Sequence, residues 1–193
     1  MSFQTFKNKT VLITGHTGFK GSWLAIWLHS LGAKVVGVAL DPPSVPSLFE
    51  VTNLHEIIDD FRLDIREGDD LKELVMQVKP DFVFHLAAQA LVRQSYIDPV
   101  ETYQTNVLGT INLLEAMRPL RKPCTAILVT SDKSYENVDS IWGYRENDAL
   151  GGSDPYSASK SAVELLIRSH VRSFFPKKGH TRIAVGRAGN VIG

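Results

Sequence analysis

Short apolar runs alternate along this chain with longer segments of helical periodicity. The runs are Val11-Leu12-Ile13, Val35 to Ala39, Phe82-Val83-Phe84, Ala126 to Val129 and Ile183-Ala184-Val185. Each is short, rich in β-branched residues and non-alternating, the pattern of parallel strands buried on both faces. Between the first two runs, Leu24, Trp27, Leu28 and Leu31 recur at i, i+3, i+4, i+7 and predict an apolar helix stripe ended by Gly32. Leu71, Leu74, Val75 and Val78 repeat the pattern before Pro80. A further helix is predicted through Val107, Ile111, Leu114 and Met117 to Pro119, and a long one from Tyr156 to Phe175, stopped by Pro176. Strand–helix alternation of this kind predicts an α/β fold, a doubly wound parallel sheet with helices on both faces.

Two segments break the alternation. Asp41 to Ser47 carries three prolines, which lack backbone donors and restrict their neighbours, so neither helix nor central strand fits. Glu136 to Pro155 contains glycine and shows no period, and reads as an irregular loop over the sheet edge. Loops of that length are often functional. The whole chain, 1–193, reads as one nucleotide-binding domain. Gly193 follows the last predicted strand by only a few residues, so a C-terminal substrate domain is expected beyond it.

Composition narrows the function classes. Apolar residues make up 44% and charged residues 22%, which is globular. Lys+Arg and Asp+Glu are both 21, and this zero balance argues against a nucleic-acid or acidic-membrane binder, which needs a basic excess. The single cysteine, Cys124, leaves no internal disulfide and no Cys-rich zinc site, and no metal is expected. No apolar stretch of about 18 residues is present and Met1 to Lys7 lacks an apolar signal region, so a cytoplasmic protein is expected.

Candidate chemistry begins after the first strand. Gly15, Gly18 and Gly21 are spaced GxxGxxG in a strand–turn–helix context. The first permits a sharp turn, the second lets the backbone approach a pyrophosphate, and the third lets helix pack on strand. Free N–H groups and the positive dipole end of the helix would then face the phosphates. Asp41 ends the second run, 20 residues after Gly21, where an acid binds the ribose hydroxyls of NAD and repels a 2′-phosphate. A turn-starting residue before Pro42 is the alternative. No Arg or Lys lies between Lys34 and Arg62, so nothing local pairs a 2′-phosphate, and NAD is preferred to NADP. Asp64 and Ile65 follow a third short strand, where Asp64 either accepts from the adenine amino group or is a solvated surface acid.

Tyr156 and Lys160 stand at i, i+4 on one helix face. A neighbouring ammonium lowers a tyrosine pKa toward working pH, and such a phenolate can take the proton from a sugar hydroxyl as its carbon gives up hydride. The pair alone is common by chance; its place after a dinucleotide loop and several parallel-strand signals raises it above an ordinary exposed pair.

Together these motifs resemble an extended short-chain dehydrogenase/reductase of the sugar-nucleotide branch. The matching stretches are Gly15–Gly21, Asp64-Ile65, His85 to Gln89, Thr105 to Gly109, Tyr156 to Lys160 and Arg187 to Gly193. The resemblance implies that Thr17, Phe19 and Lys20 belong to the pyrophosphate site. It implies that Leu86, Ala87, Ala88 and Thr105 line the cofactor cleft, and that Gln89 and Asn190 meet the nucleotide-sugar. It also implies a homodimer paired through the helices Val107–Met117 and Tyr156–Phe175. Within the branch, Ser131-Asp132-Lys133 stands where 4,6-dehydratases carry Thr-Asp-Glu. This departure resembles the CDP-glucose 4,6-dehydratases. The implied roles are Asp132 as acid for the leaving hydroxyl, Lys133 as base at C5, and Ser131 as donor to the C4 oxygen. For Lys133 this requires burial and like charge from Lys160 to release its proton. A strand-end turn with solvated charges is the plain alternative. A nucleotide-sugar 4-epimerase, or an NAD-binding scaffold without catalysis, are the other functions open at this point.

Overall fold

The structure is a computed structural model of the chain and describes residues 3–176 and 178–192. Six parallel strands form one sheet: β1 (Thr10–Thr14), β2 (Lys34–Ala39), β3 (Asp59–Arg62), β4 (Phe82–His85), β5 (Cys124–Ser131) and β6 (Thr181–Ala188), in the order β3-β2-β1-β4-β5-β6. The direction of winding reverses between β1 and β4, and the crevice at their carboxyl ends is where such sheets bind ligands.

Helices cover both faces, as the alternation predicts. Along β1, Leu12 points into one apolar cluster with Leu71, Leu113 and Val163, while Val11 and Ile13 point into the other with Ala25, Leu28 and Phe49. The first cluster takes α3 (Gly68–Val78), α6 (Gly109–Met117) and α7 (Pro155–Phe174); the second takes α1 (Phe19–Ser30) and α2 (Leu48–Val51). Leu12 is fully buried, so its truncation to alanine costs about 2–5 kcal/mol.

Two readings of the pattern are corrected. The buried face of α1 is Gly21, Ser22, Ala25 and Leu28; Trp27 is 51% exposed and Leu24 half-buried. Small residues win because the helix lies close on the glycine loop: a Cβ on Gly21 would overlap the Gly15 carbonyl oxygen. β6 is an edge strand, and Ala184 and Val185 are exposed rather than buried on both faces. β3, with the sequence Asp-Asp-Phe-Arg, is the opposite edge strand and has no apolar run of its own.

The helix read through Val107 to Met117 is longer and irregular. It follows α4 (Val92–Ile97) and α5 (Pro99–Tyr103), and a π-turn at Gln104–Leu108 joins α5 to α6. Such turns are frequent at functional sites. The long last helix is α7, capped by Asp154, whose carboxylate accepts from the Ser157 N–H and hydroxyl. Asp41 to Ser47 is irregular, and Ser47 caps α2. The segment 136–154 is a loop tied at its base by a bridge between Tyr135 and Leu150. Gly193 lies outside the described residues.

Candidate active site

The glycine loop divides its labour. Gly15 sits at φ +80°, and a Cβ there would lie 2.7 Å from the Ala87 nitrogen. Gly21 is closed off by Gly15 itself. Gly18 is different: an added Cβ would meet nothing nearer than the Gly15 oxygen at 3.4 Å, and its backbone is extended, at φ −78° and ψ 165°. The fold therefore demands Gly15 and Gly21, while Gly18 leaves space for something outside the protein. Gly18 caps α1 without a side-chain bond and the first turn holds no acid, so N–H groups of that turn lack acceptors within the helix. Phe19 is exposed and Lys20 half-buried beside this end. Thr17 is buried and donates to the Leu40 carbonyl at 3.0 Å, which makes it a tie to β2 rather than a free ligand group.

At the ends of β2 and β3, parallel pairing changes the charge picture. Ala39 pairs with Arg62, which brings Arg62 Nε to 3.8 Å from Asp41 Oδ1 and lets its Nη1 donate to the Leu40 carbonyl at 2.9 Å. The expectation that no basic group lies near Asp41 is thus corrected: Arg62 is distant only along the chain. Asp41 itself is 94% exposed. Asp64 is neither free nor merely solvated. Arg66 donates to it from its backbone N–H, Nε and Nη2 at 2.9, 2.8 and 2.6 Å. Burial pushes the Asp64 carboxyl up, but the Arg66 bonds outweigh it and hold the carboxyl below the usual range. The Ile65 side chain is buried against Gly109, so only its backbone can serve a ligand.

The loop after β4 forms the next wall. Leu86 N–H donates to the Thr14 carbonyl and Ala87 N–H to the Thr14 hydroxyl, which seats Leu86, Ala87 and Ala88 over Gly15. Gln89 is spent on the loop: its amide donates to Leu91 O and Thr102 Oγ1 and accepts from Leu91 N–H. The expected substrate contact from that side chain would have to displace these bonds. Asn106, in the π-turn, clamps the loop to α7 by accepting from Gln89 N–H at 2.8 Å and donating to Ser159 Oγ at 2.8 Å. Thr105 beside it is half-buried.

The chemistry-bearing groups meet at the end of β5 and the first turns of α7. Ser131 Oγ donates to Asp132 Oδ1 at 3.1 Å and accepts from Lys133 N–H at 3.2 Å. Asp132 and Lys133 are exposed. A cavity of about 580 Å³ is lined by Asp132, Lys133, Tyr135 and Tyr144, and by Asp154 and Ser157, which flank Tyr156 in the chain. Asn190 is exposed at the end of the segment after β6. The burial expected to strip Lys133 of its proton is therefore not supplied by this chain.

Tyr156 and Lys160 do share a face, with the ammonium 5.9 Å from the centre of the phenol ring. The expected direction of the tyrosine shift is corrected, however. Burial pushes the phenol up, a polar contact from Ser131 pulls it down, and the negative charges of Asp132 and Asp154 push it up further. Burial, with the charge of Lys20, brings the Lys160 ammonium down to about 8. Lys160 is only 6% exposed, and neither it nor Lys20 has a carboxylate partner among the described residues. Two cations and a turn of free N–H groups around an open glycine fit a dinucleotide pyrophosphate and ribose. No cluster able to hold a metal occurs among the described residues.

Two residues were invisible in the sequence. His16, inside the glycine loop, is fully buried against Gly37, and its Nε2 bonds Asp60 at 2.7 Å, fastening the loop to β3. His85 is also buried, between the Thr14 hydroxyl at 2.7 Å and the Thr110 hydroxyl at 3.0 Å. Thr110 donates its own proton to Asn106 O, so His85 Nε2–H is the donor to Thr110 and Nδ1 accepts from Thr14.

The model for the family described as GDP-mannose 4,6 dehydratase matches residues 12–176, which hold nearly all of these groups. The chain belongs to that family. Among the family's curated relatives, a CDP-glucose 4,6-dehydratase of Salmonella typhimurium is 48% identical over 192 residues, spanning 97% of this chain and 54% of that protein. A CDP-paratose 2-epimerase of Salmonella typhi is 32% identical, across 85% of this chain and 53% of that protein. The structure of a UDP-glucose 4-epimerase from Brucella ovis in complex with NAD superposes with a TM-score of 0.78 at 26% identity, over 94% of this chain and 52% of that one. The chain thus spans about half the length of the curated relatives it matches. No helix among the described residues is long and apolar enough to cross a membrane.

Proposed function

We propose that this chain is the NAD-binding half-site of a nucleotide-sugar 4,6-dehydratase, a hydro-lyase, with CDP-glucose as substrate. The observation that carries the reading is the placement of Asp132 and Lys133 on one cavity with Asp154 and Ser157, the residues flanking Tyr156. An elimination needs an acid and a base beyond the hydroxyl-activating tyrosine, and this arrangement supplies both. The 48% identical relative named a CDP-glucose 4,6-dehydratase supports the choice of substrate.

NAD, when bound, supplies a hydride acceptor and donor for the sugar. The N–H groups of Phe19 and Lys20, the Asp41 carboxylate and the Lys160 ammonium would hold it. Tyr156 takes the proton of the C4 hydroxyl, with Ser131 donating to the C4 oxygen. Once C4 is a ketone the C5 proton is acidic, and Lys133 would remove it while Asp132 protonates the C6 hydroxyl, which leaves as water; return of the hydride to C6 and of a proton to C5 would give the 4-keto-6-deoxy sugar. Both side chains are exposed, so the substrate and whatever covers it must desolvate them. Pairing of two copies through α6 and α7 and a cytoplasmic location belong to the same proposal.

The 4-epimerase reading is favoured by the similarity to the Brucella ovis epimerase structure and needs only Tyr156 and Lys160. Incubation with NAD and CDP-glucose in deuterium oxide separates the two. Dehydration predicts deuterium at C5 and loss of the C6 hydroxyl by NMR. Inversion at C4 without exchange at C5 establishes the epimerase; because this half-site holds the sugar from one side only, NAD binding with neither change establishes a scaffold only when a substrate-binding half is supplied.

A further inference from the structure

Tyr156, Lys160 and Glu164 recur every fourth residue along α7, and the first two already have work in the site. Glu164 is turned beneath the sheet edge, 7% exposed. It accepts from Thr130 Oγ1 on β5 at 2.6 Å and, in a two-pronged bond, from Arg187 Nε and Nη2 on β6 at 2.9 and 3.0 Å. A buried ion pair is by itself weak evidence for stability, so what the pair holds matters more. The remaining Arg187 nitrogen, Nη1, donates to the Glu146 carbonyl in the long loop at 3.3 Å. The guanidinium carbon lies 4.5 Å from the centre of the Tyr135 ring. Tyr135 in turn stacks on Tyr144 with centroids 5.2 Å apart and planes at 21°. The Tyr144 hydroxyl donates to Asn137 Oδ1 and accepts from Val138 N–H. Tyr135, Asn137 and Tyr144 form the wall of the cavity facing Asp132 and Lys133.

We propose that Glu164 and Arg187 are a positioning pair for substrate. Through the stacked ring pair Tyr135–Tyr144 they fix the far wall of the sugar-nucleotide cavity relative to the helix that carries Tyr156. The arrangement uses the fork, the flat face and the third nitrogen of one guanidinium, none of which a lysine reproduces. It rests on the nucleotide-sugar reading for the identity of the ligand. A displacement of the wall by an ångström takes a binding constellation outside its working geometry.

The test uses the whole chain saturated with NAD and titrated calorimetrically with CDP-glucose. Arg187→Lys and Tyr135→Leu should each weaken CDP-glucose binding roughly tenfold, with the NAD dissociation constant within twofold of wild type. Tyr135→Leu leaves the buried ion pair whole, so it reports on the wall even where Arg187→Lys unfolds. Tyr135→Phe keeps the stack and gives up only the hydroxyl's polar contact with Arg187, so it should lose less affinity than Tyr135→Leu. Tryptic cleavage after Arg145 should be slowed by CDP-glucose in wild type and not in the two weakened variants. Unchanged CDP-glucose affinity in Tyr135→Leu, a parallel loss of NAD binding, or an equal loss in Tyr135→Phe overturns the proposal while leaving the functional reading intact. A wild-type chain that binds NAD but no CDP-glucose removes the functional reading and the proposal with it.

Discussion

Substituting Gly18 separates what the glycine loop does for the fold from what it does for a ligand. Its backbone lies at φ −78° and ψ 165°, which any L-residue adopts, and a Cβ there makes only an ordinary contact at 3.4 Å. Gly18→Val should therefore leave stability unchanged or raise it by about 0.4–1 kcal/mol, because the unfolded chain loses freedom. The same side chain occupies the space a pyrophosphate needs. Forcing extra carbons into a close contact costs about 1–3 kcal/mol. At about 1.4 kcal/mol per decade, NAD affinity should fall roughly 10- to 100-fold. Gly15→Ala is the contrasting control. At φ +80°, with a Cβ 2.7 Å from the Ala87 nitrogen, it incurs about 1–2 kcal/mol for the left-handed backbone plus the clash. Its melting temperature should drop by roughly 4–8 °C. Thermal unfolding and calorimetric NAD titration of the two variants decide the matter. A Gly18→Val chain that melts at the wild-type temperature and binds NAD as wild type does would remove the pyrophosphate from this turn.

Further outcomes follow from buried charge and from the β2–β3 edge. Lys160, whose ammonium is down to about 8 from an ordinary 10.5, stays charged in folded and unfolded chains below pH 8, so its burial penalty is then complete. Lys160→Met should accordingly stabilise the free chain at pH 7 by up to about 3 kcal/mol. That gain should shrink as pH rises from 8 to 10.5, where the unfolded chain binds the extra proton; a constant gain in denaturant titrations across that range would refute it. His85 is held near 3 by burial and then by the Lys160 charge, against an ordinary 6.5. Its neutral form should therefore contribute stability that is lost as pH falls from 6.5 toward 3, by up to about 5 kcal/mol. His85→Gln should flatten that slope, and an unchanged slope assigns acid unfolding to other groups. NAD should bind more tightly than NADP, and Asp41→Ala should narrow the gap by removing the charge that repels a 2′-phosphate, while Arg62 stays held by Asp60 at 3.0 Å and the Leu40 carbonyl at 2.9 Å. NADP binding as tight as NAD in the wild-type chain sinks the assignment of Asp41.

What the sequence made legible was local. Five strands announced themselves because a buried parallel strand is an uninterrupted apolar run, and the loop did so because its glycines are needed within seven residues of one another. α7 was legible as a long segment from Tyr156 stopped by Pro176, while Pro155, read as the end of the loop, is its first residue. What stayed hidden depends on pairs distant in sequence. Arg62 comes beside Asp41 only because β3 pairs with β2, and β3 is an edge strand whose sequence reads as surface. The stripe on α1 was misread because the sheet asks for small residues there, and size is not part of an apolar period. His16 looked like a loop residue; Gly37 on β2 makes the room that buries it.

The correction at Tyr156 bears on how the site works. Burial disfavours both ions of the Tyr156–Lys160 pair, raising the phenol and lowering the ammonium, although the ammonium still holds its proton below pH 8. The i, i+4 spacing guarantees only proximity. Whether the lysine can draw the tyrosine down depends on its holding a full charge, and Lys20 beside it works against that. Negative charge brought to Lys20 and Lys160 would favour the ammonium. The same charge near the phenol would push it up, as Asp132 and Asp154 already do, so a lowered tyrosine would need a ligand whose negative charge sits at the two lysines and away from the ring.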